Sequence, residues 1–191
     1  TRERTMTHPL SFNPTVAAAL MAVLAPLAAF ATILVATRRR PRLSAGLSLG
    51  AVGICLLGTL FLLVRHWGAP TPLQFSGRWL VAGEIMVPFG LLIDPLSLLM
   101  LTVVASICLL VQVYSLGYMA GDPGFARYYA FMSLFAWAMT SMTLAPSLFQ
   151  LYVFWELVGL ASYLLIGFWF DKWRASEAGK KAFVMTRLGD V

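Results

Sequence analysis

Charge is scarce in this chain. Only 12% of its 191 residues are Asp, Glu, Lys or Arg, against about 25% in a soluble domain. Hydrophobic residues make up 60%, and mean hydropathy is +0.81. The deficit excludes an ordinary soluble enzyme and indicates a membrane protein. Cysteine and histidine are scarce too. Cys55 and Cys108 lie inside apolar runs, where they are expected as small core hydrophobes rather than as a disulfide. His8 and His66 lie outside those runs, and there is no CxxC, HExxH or Cys/His cluster, so no metal site is expected. A glycine-rich phosphate loop is missing as well. The first apolar run is too long for a cleaved signal. A formal charge of +6 and a pI near 9.8 would suggest nucleic acid in a soluble protein. Here the positive residues fall in short loops between apolar runs, so the expected partner is a lipid bilayer and not nucleic acid.

What is present is a series of long apolar runs. A bilayer core takes about 20 residues of helix. Thr15 to Ala36 meets that length, with Pro26 as an expected kink. Leu43 to Val64 meets it too, with Gly46, Gly50, Gly53 and Gly58 as expected contact positions for neighbouring helices. Leu96 to Tyr118 follows Asp94-Pro95, an N-cap Asp with Pro at the first helical position. Tyr128 to Leu144 and Leu148 to Phe170 complete five runs, and a sixth helix is expected to begin near Glu177. The fold class is therefore all-α and polytopic: five complete transmembrane helices plus the start of a sixth. The expected layout is an N-terminal segment over 1–13, helices 1 and 2 over 14–64, a loop over 65–93, and helices 3 to 5 with the start of 6 over 94–191. The chain opens Thr1-Arg2-Glu3-Arg4-Thr5-Met6 and stops at Val191, which reads as the front part of a longer protein starting at Met6 or upstream.

Loop charge sets the expected orientation. Arg38, Arg39, Arg40, Arg42, Arg127, Lys172, Arg174, Lys180 and Lys181 fall on one side, nine against the four of Arg2, Arg4, Arg65 and Arg78. The first side is therefore expected to be cytoplasmic and the N-terminus extracytoplasmic, with the bacterial inner membrane as the location. Between Val64 and Asp94 the mixture of Pro70, Pro72, Gly77, Gly83, Pro88 and Gly90 with runs such as Arg78-Trp79-Leu80-Val81 reads as an extracytoplasmic β-hairpin or extended loop. Trp67, Trp79, Trp169 and Trp173 sit where interface anchors belong.

One acid stands inside an apolar run: Glu156, in LYVFWELVGLASYLLIGFWF. It lies eight residues from the start of its run, about 12 Å deep at 1.5 Å per residue. A charge near mid-membrane costs at least about 2.5 kcal/mol, so it must be neutralised, paired or hydrated. Burial raises a carboxylate's pKa and a nearby cation lowers it, so a group held between the two influences suits a proton relay. Phe149, Tyr152, Val153, Gly159, Leu160 and Tyr163 share its helix face, with Gly159 allowing close approach and the phenols able to bond to the acid. The alternative is a structural Glu bonded to a neighbouring helix.

The string Trp155-Glu156-Leu157-Val158-Gly159-Leu160-Ala161-Ser162-Tyr163-Leu164-Leu165-Ile166-Gly167-Phe168 resembles the large antiporter-like membrane subunit of respiratory complex I, chain 5 or subunit L of NADH-quinone oxidoreductase. Lys180-Lys181-Ala182-Phe183 with Thr186-Arg187-Leu188-Gly189-Asp190 resembles that family's next helix. Asp94-Pro95-Leu96-Ser97 and Tyr114-Ser115-Leu116-Gly117-Tyr118-Met119 resemble its third helix and the following turn. The likeness covers about Phe89 to Val191, and Ala161 departs from it where many relatives carry Cys.

The resemblance implies a proton-translocating subunit that couples electron transfer to quinone with proton pumping. Glu156 matches the family's fifth-helix Glu, whose lysine partners would lie beyond Val191. Arg187 and Asp190 match sixth-helix charges that tune that pair, with a plain ion pair near a helix end as the alternative. Asp122, Lys172, Arg174 and Glu177 are expected to be solvated loop charges. No cofactor is expected in this chain: FMN, iron–sulfur clusters and quinone would belong to other subunits, and its partners would be antiporter-like and small membrane subunits. Two other functions remain: a subunit of a related Na+/H+ antiporter, membrane-bound hydrogenase or bicarbonate-uptake complex, and a membrane scaffold in which Glu156 only packs.

Overall fold

In hydrocarbon a lone chain segment satisfies its own backbone only as a helix, and helices form where the apolar runs lie. The computed structural model describes residues 14–66, 72–82 and 85–190, and of residues 78–82 and 85–87 the backbone alone. Helix α1 spans Pro14–Thr32 and passes into a π-helical turn, Ile33–Thr37. Helix α2 spans Pro41–His66, strands β1 and β2 span Leu73–Ala82 and Ile85–Ile93, and α3 spans Pro95–Tyr118. Helices α4, α5 and α6 span Phe125–Thr143, Leu148–Ile166 and Trp173–Gly189. Four helical segments, Pro14–Thr37, Pro41–His66, Pro95–Tyr118 and Leu148–Ile166, are long and apolar enough to cross a membrane. With this composition the chain is an integral, multi-pass membrane protein.

Local signals account for several boundaries. Asp94 is the N-cap of α3, accepting from the Ser97 N–H at 2.6 Å with Pro95 next in line. Ser147 caps α5 in the same way, accepting from the Gln150 N–H at 3.3 Å. The expected Leu148–Phe170 run is shorter as a helix. It stops at Ile166, after which Gly167 lets the chain turn and Phe168 drives back into the protein, with its ring edge-on to Tyr128. Helix α6 starts earlier than expected, at Trp173. The glycines of α2 also depart from expectation. A Cβ on Gly46, Gly50 or Gly53 would meet nothing within 4 Å, and only Gly58 is tightly packed, 3.2 Å from the Ala18 carbonyl oxygen.

Helix α4 is the least apolar of the middle helices and lies deepest, against α1, α2, α3 and α5. Its polar side chains Ser133, Thr140 and Ser141 are buried in the bundle. An inner helix is shielded from lipid by its neighbours, so it does not need the hydropathy of an outer one.

The two ends of the bundle differ. At one end lies the antiparallel β1–β2 hairpin, paired from Leu73↔Ile93 to Ala82↔Ile85 with a register shift between Arg78 and Leu80. Ile93, Leu73, Phe75 and Leu91 pack on Ala18, Ala19, Leu62 and Leu98, where α1 begins, α2 ends and α3 begins. The outer edge of β2 is covered by the α4–α5 turn. The Leu92 N–H donates to the Leu144 carbonyl at 2.8 Å, and the buried Gln150 amide exchanges two 2.9 Å bonds with the N–H and carbonyl of Gly90. Gly90 has no room for a Cβ against the Phe75 carbonyl. A covered edge cannot recruit another strand. The expected segment 1–13, Trp67, Pro70 and Gly83 lie outside the described residues, as does the side chain of Trp79.

At the other end lie the loops after α1, α3 and α5, and the last two meet. Asp122 accepts from the Trp169 indole N–H at 2.9 Å and from the Gly124 N–H at 2.7 Å. Arg127 donates to the Phe168 carbonyl at 3.1 Å, and its guanidinium lies over the Phe168 and Phe170 rings. The Lys172 ammonium sits 5.1 Å from the Trp169 ring. Asp122 and Lys172 are thus engaged rather than merely solvated, because the turn at Phe168 brings the two loops together. Arg174 is exposed and Glu177 pairs with Lys180 on the surface, as expected of solvated charges.

Two outcomes follow from these ties. Gln150→Leu leaves both backbone groups of Gly90 unpaired, at about 1–3 kcal/mol each. It is expected to lower the unfolding temperature of the detergent-solubilised protein and speed hydrogen exchange at the hairpin, with Gln150→Glu intermediate; an unchanged Gln150→Leu variant would refute the edge assignment. The Trp169 bond, reinforced by the Gly124 N–H and the charges of Arg127 and Lys172, holds the Asp122 carboxyl below its usual range. A depressed carboxylate stabilises above its unfolded pKa, about 3.9, and loses that contribution as pH falls through the lower folded value. Amide exchange over Ala120–Gly124 is expected to quicken across that acid window in wild type, and Asp122→Asn is expected to abolish the acid-dependent part.

Candidate functional site

Helix α5 has 19 residues, about 28 Å of rise. Its early stop places Glu156 close to mid-helix, nearer the centre than a run to Phe170 would put it. After the Gly167–Lys172 turn, α6 returns antiparallel along α5. Near the turn, a Cβ on Gly179 would lie 3.3 Å from the Gly167 backbone. Further along, the Tyr163 and Phe183 rings meet at 5.4 Å. The helices are thereby held close enough for the far end of α6 to reach the acid.

Arg187 is the residue that reaches it. Its Nη1 pairs with the Glu156 carboxylate, and its Nη2 donates to the Glu156 backbone carbonyl at 2.9 Å. Gly159, one turn on from Glu156, makes the space: a Cβ there would stand 3.3 Å from Arg187 Nη2. The guanidinium also lies 4.6 Å from the Phe183 ring centroid. Three residues on, Asp190 accepts from the Trp155 indole N–H at 3.1 Å. The structure therefore brings Glu156, Arg187 and Asp190 to one place, with Trp155 and Gly159 completing it. Neither phenol on the acid's face bonds to it: the Tyr163 ring turns to Phe183, and Tyr152 faces outward.

Chemically, the arrangement places a permanent cation beside a titratable acid in the middle of a helix. A planar guanidinium engages a carboxylate and a carbonyl at once, which a point-charge ammonium does less well. The acid can therefore stand at mid-helix with its counter-charge in place.

A second polar group was not legible as a site. Ser48 of α2 donates to Gln112 Oε1 of α3 at 2.9 Å and lies 2.7 Å from the Ser133 hydroxyl of α4, while Tyr129 donates to the Gln112 carbonyl at 2.8 Å. Ser48, Gln112, Tyr129 and Ser133 are fully buried, and Gln112 Nε2 has no partner among the described residues. Ser48, Gln112 and Ser133 are each a single polar residue in an apolar run, and Tyr129 follows Tyr128. The only signal in the sequence was that isolation, and it does not say which helices meet there.

Because Glu156 and Arg187 share one contact, their substitutions are expected to be non-additive. A double-mutant cycle of Glu156→Gln and Arg187→Gln, read by unfolding of the full protein in detergent, is expected to give a coupling of about 0.5–3 kcal/mol. Strictly additive losses would mean that the pair does not form.

Comparison with known proteins gives the family. Residues 79–129 match the family model described as NADH-ubiquinone oxidoreductase (complex I), chain 5 N-terminus, and residues 145–191 match NADH:quinone oxidoreductase/Mrp antiporter, TM. The chain is 54% identical over 113 residues to NAD(P)H-quinone oxidoreductase chain 5 of a Synechocystis species, covering 59% of this chain and 17% of that one. It is 40% identical over 154 residues to chain 5 of a Picosynechococcus species, covering 81% of this chain and 23% of that one. To the chloroplastic subunit 5 of Anthoceros angustus it is 49% identical over 117 residues, or 61% of this chain and 16% of that one. The chain thus spans 16% to 23% of the length of these relatives. Among solved structures, a chain of the membrane-bound sulfane sulfur reductase, an archaeal respiratory membrane complex, shares the fold with a TM-score of 0.76 over 91% of this chain and 34% of that one, at 20% identity. The two matched stretches hold the helix cap at Asp94, the acid at Glu156 and its partners Arg187 and Asp190, and the chain belongs to the antiporter-like family of chain 5 of the NAD(P)H-quinone oxidoreductases.

Proposed function

We propose that this chain forms part of a proton-translocating membrane subunit of an NADH-quinone oxidoreductase of the complex I type, and that Glu156 carries the proton. The observation behind this reading is the Glu156–Arg187 pair at mid-depth of α5, in a chain of this family. Glu156 accepts and releases a proton as the charge of a further cation, a lysine outside this stretch, approaches and withdraws. Arg187 supplies a constant positive charge beside it, and Asp190, held by Trp155, balances that charge.

The two unlike ends support a membrane arrangement. Helix α3 ends at the arginine-rich end and α5 begins at the hairpin end, so α4 runs the full depth between them and acts as a crossing helix despite its modest hydropathy. Counted this way the chain has five crossings and a sixth helix begun by α6. The arginine-rich end is cytoplasmic, by the excess of Lys and Arg in its loops. The hairpin and N-terminus are extracytoplasmic, and the membrane is the inner membrane of a bacterium. The redox groups, FMN, iron–sulfur clusters and quinone, are held by other subunits, and this chain contacts further antiporter-like and small membrane subunits. A Na+/H+ antiporter subunit is the second reading, favoured by the joint description of the family matched over residues 145–191.

The test uses the full complex in inverted membrane vesicles. Glu156→Gln is expected to lower NAD(P)H-driven quinone reduction and proton uptake together to a small fraction of wild type, while Glu156→Asp keeps part of both. Unchanged rates in Glu156→Gln would make the acid structural. Proton movement that depends on added Na+ in the absence of an electron donor would favour the antiporter.

A further inference from the structure

A cavity of about 380 Å3 lies between α1 and α5 at the hairpin end of the bundle. Both helices pack on α4, whose Trp137 and Ser141 line the cavity, and the hairpin lies over one end of it. Its rim carries Leu20 and Leu24 of α1 and Phe89 of β2, all exposed. Helices α1 and α5 are long and apolar enough to span the membrane, so this mouth opens toward hydrocarbon. The α1 side runs from Val16 to Leu27, a rise of about 16 Å. That is about half of a ~30 Å hydrocarbon core, the depth of one leaflet.

The lining changes character along that depth. Gln74 and Ser76 of β1, Gln150 in the first turn of α5 and Ser141 in the last turn of α4 lie at the hairpin end. One turn deeper stand Trp137 and Phe154, edge-on to each other at 5.5 Å. The α1 side is apolar throughout. The Gln150 amide is taken up by Gly90, but the Ser141 hydroxyl has no partner among the described residues. Leaving a buried hydroxyl unpaired is costly, so an oxygen on an occupant has a donor to meet at this end. A cavity one leaflet deep, apolar along its length and polar at the bilayer surface, has the outline of a lipid chain with its ester at the top. Hydrocarbon already surrounds the protein, so what favours one chain here is close contact on several sides rather than escape from water.

We propose that this cavity holds one acyl chain of a glycerophospholipid from the leaflet at the hairpin end. The ester group lies level with Gln74 and Ser141, and the tail runs toward Leu27. Glu156 is not among the lining residues, and the site does not rest on the proton-relay reading. A chain seated there is distinguished from lipid that merely surrounds the protein, because it touches side chains that the surrounding lipid does not reach. Val23 and Phe154 are such residues, being part of the lining yet buried, whereas Leu110 of α3 is exposed to the surroundings.

The experiment places the full complex in phosphatidylcholine nanodiscs doped with phosphatidylcholine that bears a diazirine on one acyl chain. Photo-adducts are then mapped by peptide mass spectrometry. Wild type is expected to be labelled at Val23 and Phe154 as well as at Leu110. A diazirine near the ester is expected to mark Gln74 and Ser141, and one near the chain end to mark Leu27 and Trp137. Leu20→Trp and Leu24→Trp add bulk at the exposed rim, where the fold tolerates it. Each is expected to lose the Val23 and Phe154 adducts and to keep the one at Leu110. Wild type without adducts at Val23 and Phe154, adducts unchanged in both tryptophan variants, or the reverse depth order would overturn the proposal. So would release of a neighbouring subunit from the tryptophan variants with the adducts intact, which would make the occupant a protein segment. Stronger labelling by a free fatty acid with the same diazirine would make it a single-chain acid and overturn the phospholipid assignment.

Discussion

A polar group inside a hydrocarbon slab has no water to turn to, so the protein itself must supply its partner. Most of what is specific in this structure answers that demand. The hydroxyls of Ser48 and Ser133 and the amide oxygen of Gln112 find one another between α2, α3 and α4. Glu156 finds Arg187. Each unpaired group would cost about 1–3 kcal/mol, and a charge more. Helix order and helix spacing are set by these few pairings, because the surrounding lipid offers apolar surfaces no reason to prefer one another.

The same demand explains why the two ends of the bundle matter to its middle. Helix α5 is fastened at its start by Ser147 and Gln150 to the hairpin, and beyond its end by the Phe168 carbonyl to Arg127. The turn to α6 is further tied to the α3–α4 loop through Trp169 and Asp122. With both ends fixed, the antiparallel pair α5–α6 has little freedom to slide. The register that sets Arg187 beside Glu156 is thus decided by contacts outside the hydrocarbon, where polar interactions form readily, and delivered to a site inside it.

Much of this was legible from the chain alone, and the failures have physical causes. The helical runs, the Asp94-Pro95 start, the hairpin signal in the 65–93 loop and the isolated acid are local features written in local sequence, and all appear in the structure. The family motifs picked out Arg187 and Asp190 before their contact with α5 was visible. What was misread depends on partners. The α2 glycines look like packing positions by composition, yet whether a small residue meets a helix or open space is decided by the neighbour: Gly58 meets Ala18 and Gly46 meets nothing. Leu148 to Phe170 is uniformly apolar, so hydropathy does not mark the end of α5, which Gly167 and the inward turn of Phe168 decide. Tyr152 and Tyr163 share the acid's helical face, but sharing a face does not fix where a ring turns once Phe183 offers a contact.

The way Arg187 is held bears on how the acid can work. One of its nitrogens faces the carboxylate and the other donates to the backbone carbonyl of the same residue. Protonating the carboxylate weakens the first interaction and leaves the second, because the carbonyl does not titrate. The guanidinium therefore stays beside Glu156 in both protonation states, kept there also by the Phe183 ring and by the space above Gly159. On the proposed relay reading, a cation that stays put does not by itself drive a cycle, so Arg187 is the fixed part and the change that loads and empties the acid lies elsewhere.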